Sequence, residues 1–213
     1  MADGSGDQTI LIVDDSTYIV DGLMALLKRK GYTTLSASSG EEALTLLASS
    51  TPDLILLDIM MEPMDGWETL DRIKGNSATA EIPVLMFSAK KITAEEAGDH
   101  SMNIDDFVSK PVNPAQLLES IKRVFQRRTD VKMEALIAKD AGLDPSVIEE
   151  YSTLRKNIDV DKNLLEILKN SSGMNIPNRA VPPEDLEAIN KLIEKIKAEE
   201  ARLKEINEKF NRA

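Results

Sequence analysis

The sequence predicts an α/β fold, in which a five-stranded parallel sheet is covered by helices on both faces, followed by an all-helical extension. Three observations carry that expectation. The runs Ile10-Leu11-Ile12-Val13, Leu54-Ile55-Leu56-Leu57 and Val84-Leu85-Met86-Phe87 have the unbroken aliphatic character of strands buried on both faces. Each stops at polar residues: Asp14-Asp15, Asp58 and Ser88. Helical patterns separate the runs as far as Arg127, after which no strand pattern recurs.

The elements follow in order. After the first strand, Ser16 is placed to cap a helix that buries Ile19, Val20, Leu23, Leu26 and Leu27, with Gly31 just past its end. A second strand is predicted over Thr33 to Ala37. Ser39 then opens a helix with Ala43, Leu44 and Leu47 on one face. The third strand ends at Asp58, and a helix from Gly66 runs through Leu70 and Ile73 to Gly75. After the fourth strand a short, weakly apolar helix is expected around Thr93 to Asp99. Asp106-Phe107-Val108-Ser109 reads as the fifth strand. Asn113 and Pro114 mark the next helix start, with Leu117, Leu118, Ile121, Val124 and Phe125 on its core face.

In a parallel sheet the carboxyl ends of the strands lie along one edge, where such folds bind ligands. That edge gathers Asp14, Asp15, Asp58 and Ser88, and Lys110 after the fifth strand can reach it. Crowded carboxylates repel one another unless a cation sits among them. With no cysteine and a single histidine, His100, the donors are hard oxygens, and Mg2+ fits them best. A metal, a lysine and a hydroxyl around a carboxylate nucleophile suit a phosphoryl group on Asp58, with Ser88 and Lys110 contacting its oxygens.

Taken together, Asp14-Asp15, Asp58, Met64-Asp65-Gly66, Ser88, Phe107 and Lys110-Pro111 resemble the response-regulator receiver domain of two-component signalling, of the chemotaxis-regulator type. The resemblance covers residues 8 to about 128 and implies the doubly wound, flavodoxin-like architecture. It implies that Asp58 accepts phosphate from the histidine of a sensor kinase. It further implies that Asp14, Asp15, Asp58 and the backbone carbonyl of Met60 hold Mg2+, that Ser88 and Phe107 form a switch pair, and that the Lys110–Pro111 bond is cis. The sequence departs from the family at Glu62, which stands where a proline is usual and is followed by Pro63. Glu62 is read as a solvated loop residue, with an acidic group beside the metal as the alternative.

Composition agrees with this division. Of 213 residues, 42% are hydrophobic, enough for a globular core. No apolar run approaches the roughly 18 to 20 residues of a membrane span, and the first seven residues have neither the basic start nor the apolar stretch of a signal peptide. The absence of cysteine suits a cytoplasmic setting. The expected division is a receiver over 1–128 and a helical extension over 129–213. The net charge of −11 falls unevenly, with 12 basic and 20 acidic side chains in the first part and 14 and 17 in the second. Neither part has the basic excess that nonspecific DNA binding uses.

In the extension, Lys132 to Ala141 is predicted as one helix, closed by Gly142. Asp144-Pro145 starts a second, burying Val147, Ile148, Tyr151, Leu154 and Ile158. Asp161 to Lys169 gives a third, ending at Ser171-Ser172-Gly173. After a proline-containing loop, a helix of roughly 40 Å runs from Pro183, at about 1.5 Å per residue. Its apolar residues Leu186, Ile189, Ile193, Ile196, Leu203 and Phe210 form a seam interrupted by Glu200 and Asn207. Ion pairs Glu187–Lys191, Glu200–Lys204, Glu205–Lys209 and Glu208–Arg212 are expected along it. The seam packs either against the rest of the chain or against a protein partner or second copy.

Rival readings are weaker. Haloacid-dehalogenase-type phosphatases also open on an aspartate after a strand, but they need a second aspartate two residues on, where Met60 stands. The chain is therefore read as a regulator and not an enzyme. A DNA-binding helix-turn-helix within 132–158 would explain the Ala141-Gly142-Leu143 rhythm, yet its would-be recognition helix carries Glu149, Glu150 and Asp159 against only Arg155 and Lys156. Nucleic acid is the unlikely partner. His100, followed by Ser101, lacks the acidic neighbour of a phosphorelay histidine, and Met60, Met61 and Met64 are read as packing residues rather than soft-metal ligands.

Overall fold

The computed structural model of the chain describes residues 8–89, 103–140, 142, 144–174, 176 and 180–210. The helix expected around Thr93 to Asp99, and His100, lie outside them. Residues 8–89 with 103–120 form one compact unit, and the described residues from 121 onward form another.

The first unit is built on five parallel strands: β1 (Thr9–Val13), β2 (Thr33–Ala37), β3 (Leu54–Asp58), β4 (Val84–Ser88) and β5 (Asp106–Ser109). Their order is β2-β1-β3-β4-β5, the doubly wound arrangement. All of β3 and β4 and four residues of β1 are buried, as the unbroken apolar runs require. Helices α1 (Thr17–Arg29), α2 (Gly40–Leu47) and α3 (Gly66–Lys74) cover the sheet, burying Val20, Leu23 and Leu27, then Ala43 and Leu47, then Leu70 and Ile73.

The caps explain where the helices begin. Ser39 accepts the Glu42 amide at 3.2 Å while the Glu42 carboxylate reaches back to the Ser38 amide at 2.6 Å, a reciprocal pairing that fixes the start of α2. Asp65 does the same for α3, accepting the Glu68 amide at 2.8 Å. Ser16 precedes α1 as expected, but its side chain makes no capping bond. Its amide donates instead to Asp14 Oδ1 at 2.8 Å, so a residue of the acidic edge organises the entry to the helix.

The helical part differs from expectation. Where separate helices were predicted, α4 runs unbroken over Pro114–Asp140 and α5 over Pro145–Ser172. The reason lies in what those stretches lack. Arg127-Arg128-Thr129-Asp130-Val131 and Asn157-Ile158-Asp159-Val160-Asp161 are polar but contain neither glycine nor proline, and a change of polarity does not end a helix. True ends come at Gly142 (φ 76°) and Gly173 (φ 78°). Within this unit, Glu134 of α4 pairs with Arg155 of α5 at 2.6 Å, and Arg127 with Asp159 at 3.7 Å, so the two helices lie antiparallel.

The last helix, α6 (Pro183–Phe210), packs along α5. Ile189 and Ile196 are buried as the seam predicts, and Ile193 and Leu203 are half-buried. Leu186 is not, at 43% exposed, and Ile206, outside the predicted seam, is fully buried. The Glu187–Lys191 pair forms at 2.8 Å. Glu200 reaches across to Lys162 at 2.7 Å instead of down its own helix to Lys204, and Glu205 bonds Arg202 at 3.0 Å; the expected partners Lys209 and Arg212 lie outside the described side chains.

Gly66 marks the tightest contact between helix and sheet. Its amide donates to the Ile59 carbonyl at 2.9 Å, and a Cβ built there would lie 2.1 Å from the Asp58 carbonyl oxygen. The backbone cannot yield without moving the end of β3. Gly66→Ala is therefore expected to lower stability by about 3 kcal/mol or more, whereas Gly22→Ala, in open space within α1, raises it by about 0.5–1 kcal/mol. Urea unfolding midpoints of the two variants distinguish a steric requirement at Gly66 from a general glycine effect.

Candidate functional site

Strand order reverses between β1 and β3, and this reversal opens a crevice at their carboxyl ends. Val13 pairs with Leu57 in the register, so Asp14 and Asp58 emerge side by side, each one residue beyond that pair. Carboxylate oxygens of Asp14, Asp15 and Asp58 lie within 4.8 Å of one another. Asp14 and Asp58 are buried and Asp15 is exposed.

Lys110, just past β5, reaches this crevice. Its Nζ lies 2.7 Å from Asp14 Oδ2 and 2.8 Å from Asp58 Oδ2, and 4.6 Å from the centre of the Phe87 ring. Phe87 was not singled out in the sequence, where it reads as an ordinary core residue of β4. It forms the apolar floor beneath the ammonium, whose charge the ring face attracts. The Lys110–Pro111 bond is cis, as the family resemblance implies, and so is Glu62–Pro63.

The oxygens have distinct roles. Asp14 is fully engaged, with Oδ1 on the Ser16 amide and Oδ2 on Lys110. Asp58 Oδ2 is held by Lys110, but its Oδ1 is buried with no hydrogen-bond donor. That orphaned oxygen, beside the exposed carboxylate of Asp15, is an all-oxygen set with an unmet need for positive charge, and it fits a hard divalent cation such as Mg2+. Burial pushes the Asp58 carboxyl above its ordinary value; the bond and charge of Lys110 oppose this, nearby Asp14 adds to it, and the Met60 amide lowers it slightly.

The remaining predicted residues fall around this centre. Ser88 ends β4, one position beyond the Phe87 that pairs with Asp58, and is buried. Phe107 pairs with Met86 and its ring is buried in β5. Met60 is 55% exposed, while Met61 and Met64 are buried, in keeping with packing. Glu62 is exposed, as a solvated loop residue would be. Trp67 is half-buried in the first turn of α3.

A raised folded-state pKa means that folding favours the protonated acid. The contribution is present below the ordinary value of 3.8 and is lost as pH rises through the folded value, so at neutral pH the buried charge opposes folding. Asp58→Asn, which leaves Lys110 its bond to Asp14, is expected to stabilise the metal-free protein at neutral pH. The gain should shrink toward about pH 4. Urea titrations at the two pH values measure it.

A family model described as the response regulator receiver domain matches residues 10–122, and one described as Metanogen output domain 2 matches residues 127–213. The phosphate regulon transcriptional regulatory protein PhoB of Pseudomonas aeruginosa is 34% identical over 130 residues, which is 61% of this chain and 57% of that protein. The chain thus spans a little over half the length of this curated relative. Among solved structures, the N-terminal domain of a response regulator receiver protein from Methanoculleus marisnigri JR1 is 55% identical, covering 55% of this chain and 94% of its own, with a TM-score of 0.47. A CheY-like receiver domain protein from Methanospirillum hungatei JF-1 is 29% identical, covering 58% and 98%, with a TM-score of 0.53. With its five-stranded doubly wound sheet and the acidic crevice at the β1–β3 reversal, the chain belongs to the response regulator receiver domain family.

Proposed function

We propose that the chain is a two-component response regulator in which Asp58 accepts a phosphoryl group from the histidine of a sensor kinase, with Mg2+ required. In this reading residues 1–128 receive the signal and residues 129–213 turn it into altered protein–protein contact. The supporting observation is the pairing of an orphaned Asp58 oxygen with an ammonium that already bridges Asp14 and Asp58.

In the transfer step Asp58 Oδ1, the oxygen without a protein donor, attacks phosphorus. The P–O bond forms as the P–N bond to the donor imidazole breaks, and the nitrogen leaves with the electron pair and takes a proton. Mg2+, held by Asp14, Asp15, Asp58 and the Met60 carbonyl, would neutralise charge on the phosphoryl oxygens. Lys110 then exchanges a carboxylate for a phosphoryl oxygen, and Ser88 donates its hydroxyl to another. Phe107, the other member of the switch pair, would follow the movement of Ser88. Water hydrolyses the acyl phosphate in time, releasing inorganic phosphate and restoring the Asp58 carboxylate, so the output is a timed conformation, in the cytoplasmic setting expected for a kinase partner.

A DNA-binding output is the second reading, because relatives matched over the receiver are named transcriptional regulators, among them the DNA-binding response regulator MtrA of Mycobacterium tuberculosis. The supporting match stops short of their remaining length, and residues 127–213 match a different family model. The would-be recognition helix lies within α5, which buries Tyr151, Asn157, Ile158, Val160, Asp161, Leu164 and Leu168 and is flanked by α4 and α6. Up to residue 158 only Tyr151, Asn157 and Ile158 are buried, but Arg155 of that stretch is committed to Glu134 of α4, which favours the protein-contact reading.

Incubation with acetyl phosphate and Mg2+ is expected to label the wild type once per chain and to leave Asp58→Asn unlabelled. Equal labelling of both would move the phosphoacceptor elsewhere. Millimolar Mg2+ is expected to shift Trp67 emission in the wild type and to lose that effect in Asp15→Asn. Lys110→Ala should still be labelled yet fail to change tail protection in hydrogen exchange. Specific retention of a DNA duplex by the phosphorylated chain would favour the transcriptional reading instead.

A further inference from the structure

The helical unit contains a polar cluster for which the phosphoacceptor chemistry has no use. Asn157 and Asp161 stand one turn apart on α5, Lys195 and Glu199 one turn apart on α6, and the four face one another where the helices pack. Asp161 is 0% exposed. Its Oδ2 lies 2.8 Å from Lys195 Nζ, and its Oδ1 has no hydrogen-bond donor. The Asn157 side chain bonds Glu199, yet Asn157 Oδ1 and Glu199 Oε2 are both buried without a donor.

Two carboxylates therefore share one ammonium. Other charged groups across the seam do not relieve them: Arg202 is matched to Glu150 at 2.6 Å, and Lys162 to Glu200 at 2.7 Å. The cluster carries one negative charge in excess and three orphaned acceptor groups, although a buried carboxylate is tolerated only when paired and hydrogen-bonded. A single proton removes the first fault and eases the second. It removes the excess charge and supplies a donor that Asp161 Oδ1 or Asn157 Oδ1 can accept.

We propose that α6 docks on α5 through a proton-sensitive seam, in which protonation of the Glu199 carboxyl tightens the helix pair and its loss loosens it. Burial pushes this carboxyl above its ordinary value; Lys195 pulls it down, Asp161 pushes it up again, and the bond from Asn157 pulls it down. Because the docked-state value is raised, the contribution is complete below the ordinary value of 4.5 and fades as pH rises through the docked value. Docking should tighten on acidification, whether or not Asp58 is phosphorylated.

The test uses the full chain and hydrogen exchange corrected for intrinsic rates. As pH falls from about 7 toward the ordinary glutamate value of 4.5, protection of α6 amides around Ile189 to Ile206 is expected to rise in the wild type. Glu199→Gln, neutral at both values, should lose that response. Retention of the full response in Glu199→Gln, or its absence from the wild type, overturns the proposal. Should the variant fold poorly, NMR titration of the Glu199 side chain in the wild type decides alone: a midpoint above that of a free glutamate supports the seam, and one at or below it refutes it.

Discussion

The receiver is arranged around one electrostatic problem, the convergence of Asp14, Asp15 and Asp58 at the β1–β3 reversal. Topology creates the problem, since adjacent parallel strands in register must deliver their terminal residues to the same edge. The sheet order also constrains the answer. β5 lies two strands from β3, so the cation that follows it must cross the end of β4 to reach Asp58. The long stem of Lys110 spans that gap, and the Phe87 ring beneath the ammonium gives it an apolar support that is itself weakly attractive. A shorter cation at this position would leave two buried carboxylates facing each other, and a polar residue in place of Phe87 would remove the ring face beneath the ammonium.

The same geometry opposes stability and favours chemistry. Asp58 Oδ1 is buried without a donor and burial raises its carboxyl pKa, so the folded domain bears a charge that it solvates incompletely. An oxygen that already accepts from the protein is a poorer nucleophile than one that does not. Asp14, with both oxygens bonded, illustrates the other role, since it holds Lys110 and the start of α1 and keeps the crevice in shape. Unequal satisfaction of neighbouring carboxylates thus separates a group that can react from one that positions.

This division was only partly legible in the sequence. The strands could be read because a sheet covered on both faces demands continuous apolar runs, and the residues that end those runs fall on the functional edge by geometry alone. Asp14, Asp15, Asp58, Ser88 and Lys110 were found that way. Phe87 was not, because its role depends on what crosses above it and nothing in a buried strand residue signals that. The helical boundaries failed for a different reason. Polar stretches around Arg128 and Asp159 resemble linkers, but a helix lined by partners on neighbouring helices continues through them, as the Arg127–Asp159 and Glu134–Arg155 pairs make plain. Only glycine in the left-handed region, at Gly142 and Gly173, carried a stop signal with a local physical cause.

The α5–α6 seam was the least legible feature, because an apolar heptad pattern predicts where side chains converge and not which polar groups converge with them. Ile189 and Ile196 provide the association, and Asp161, Lys195 and Glu199 are inserted among such residues at a cost in stability. Apolar residues of similar volume would pack such a seam more tightly. They would also tolerate sliding by a turn, since one isoleucine resembles another. A buried carboxylate that must meet one particular lysine permits a single register, and Arg202 clasping Glu150 fixes the same alignment on the other side of the cluster. Association and alignment therefore rest on different residues. Were the proposed seam to loosen through its polar contacts, its apolar ones would remain to return the pair to the same place, which a uniformly apolar core would not ensure.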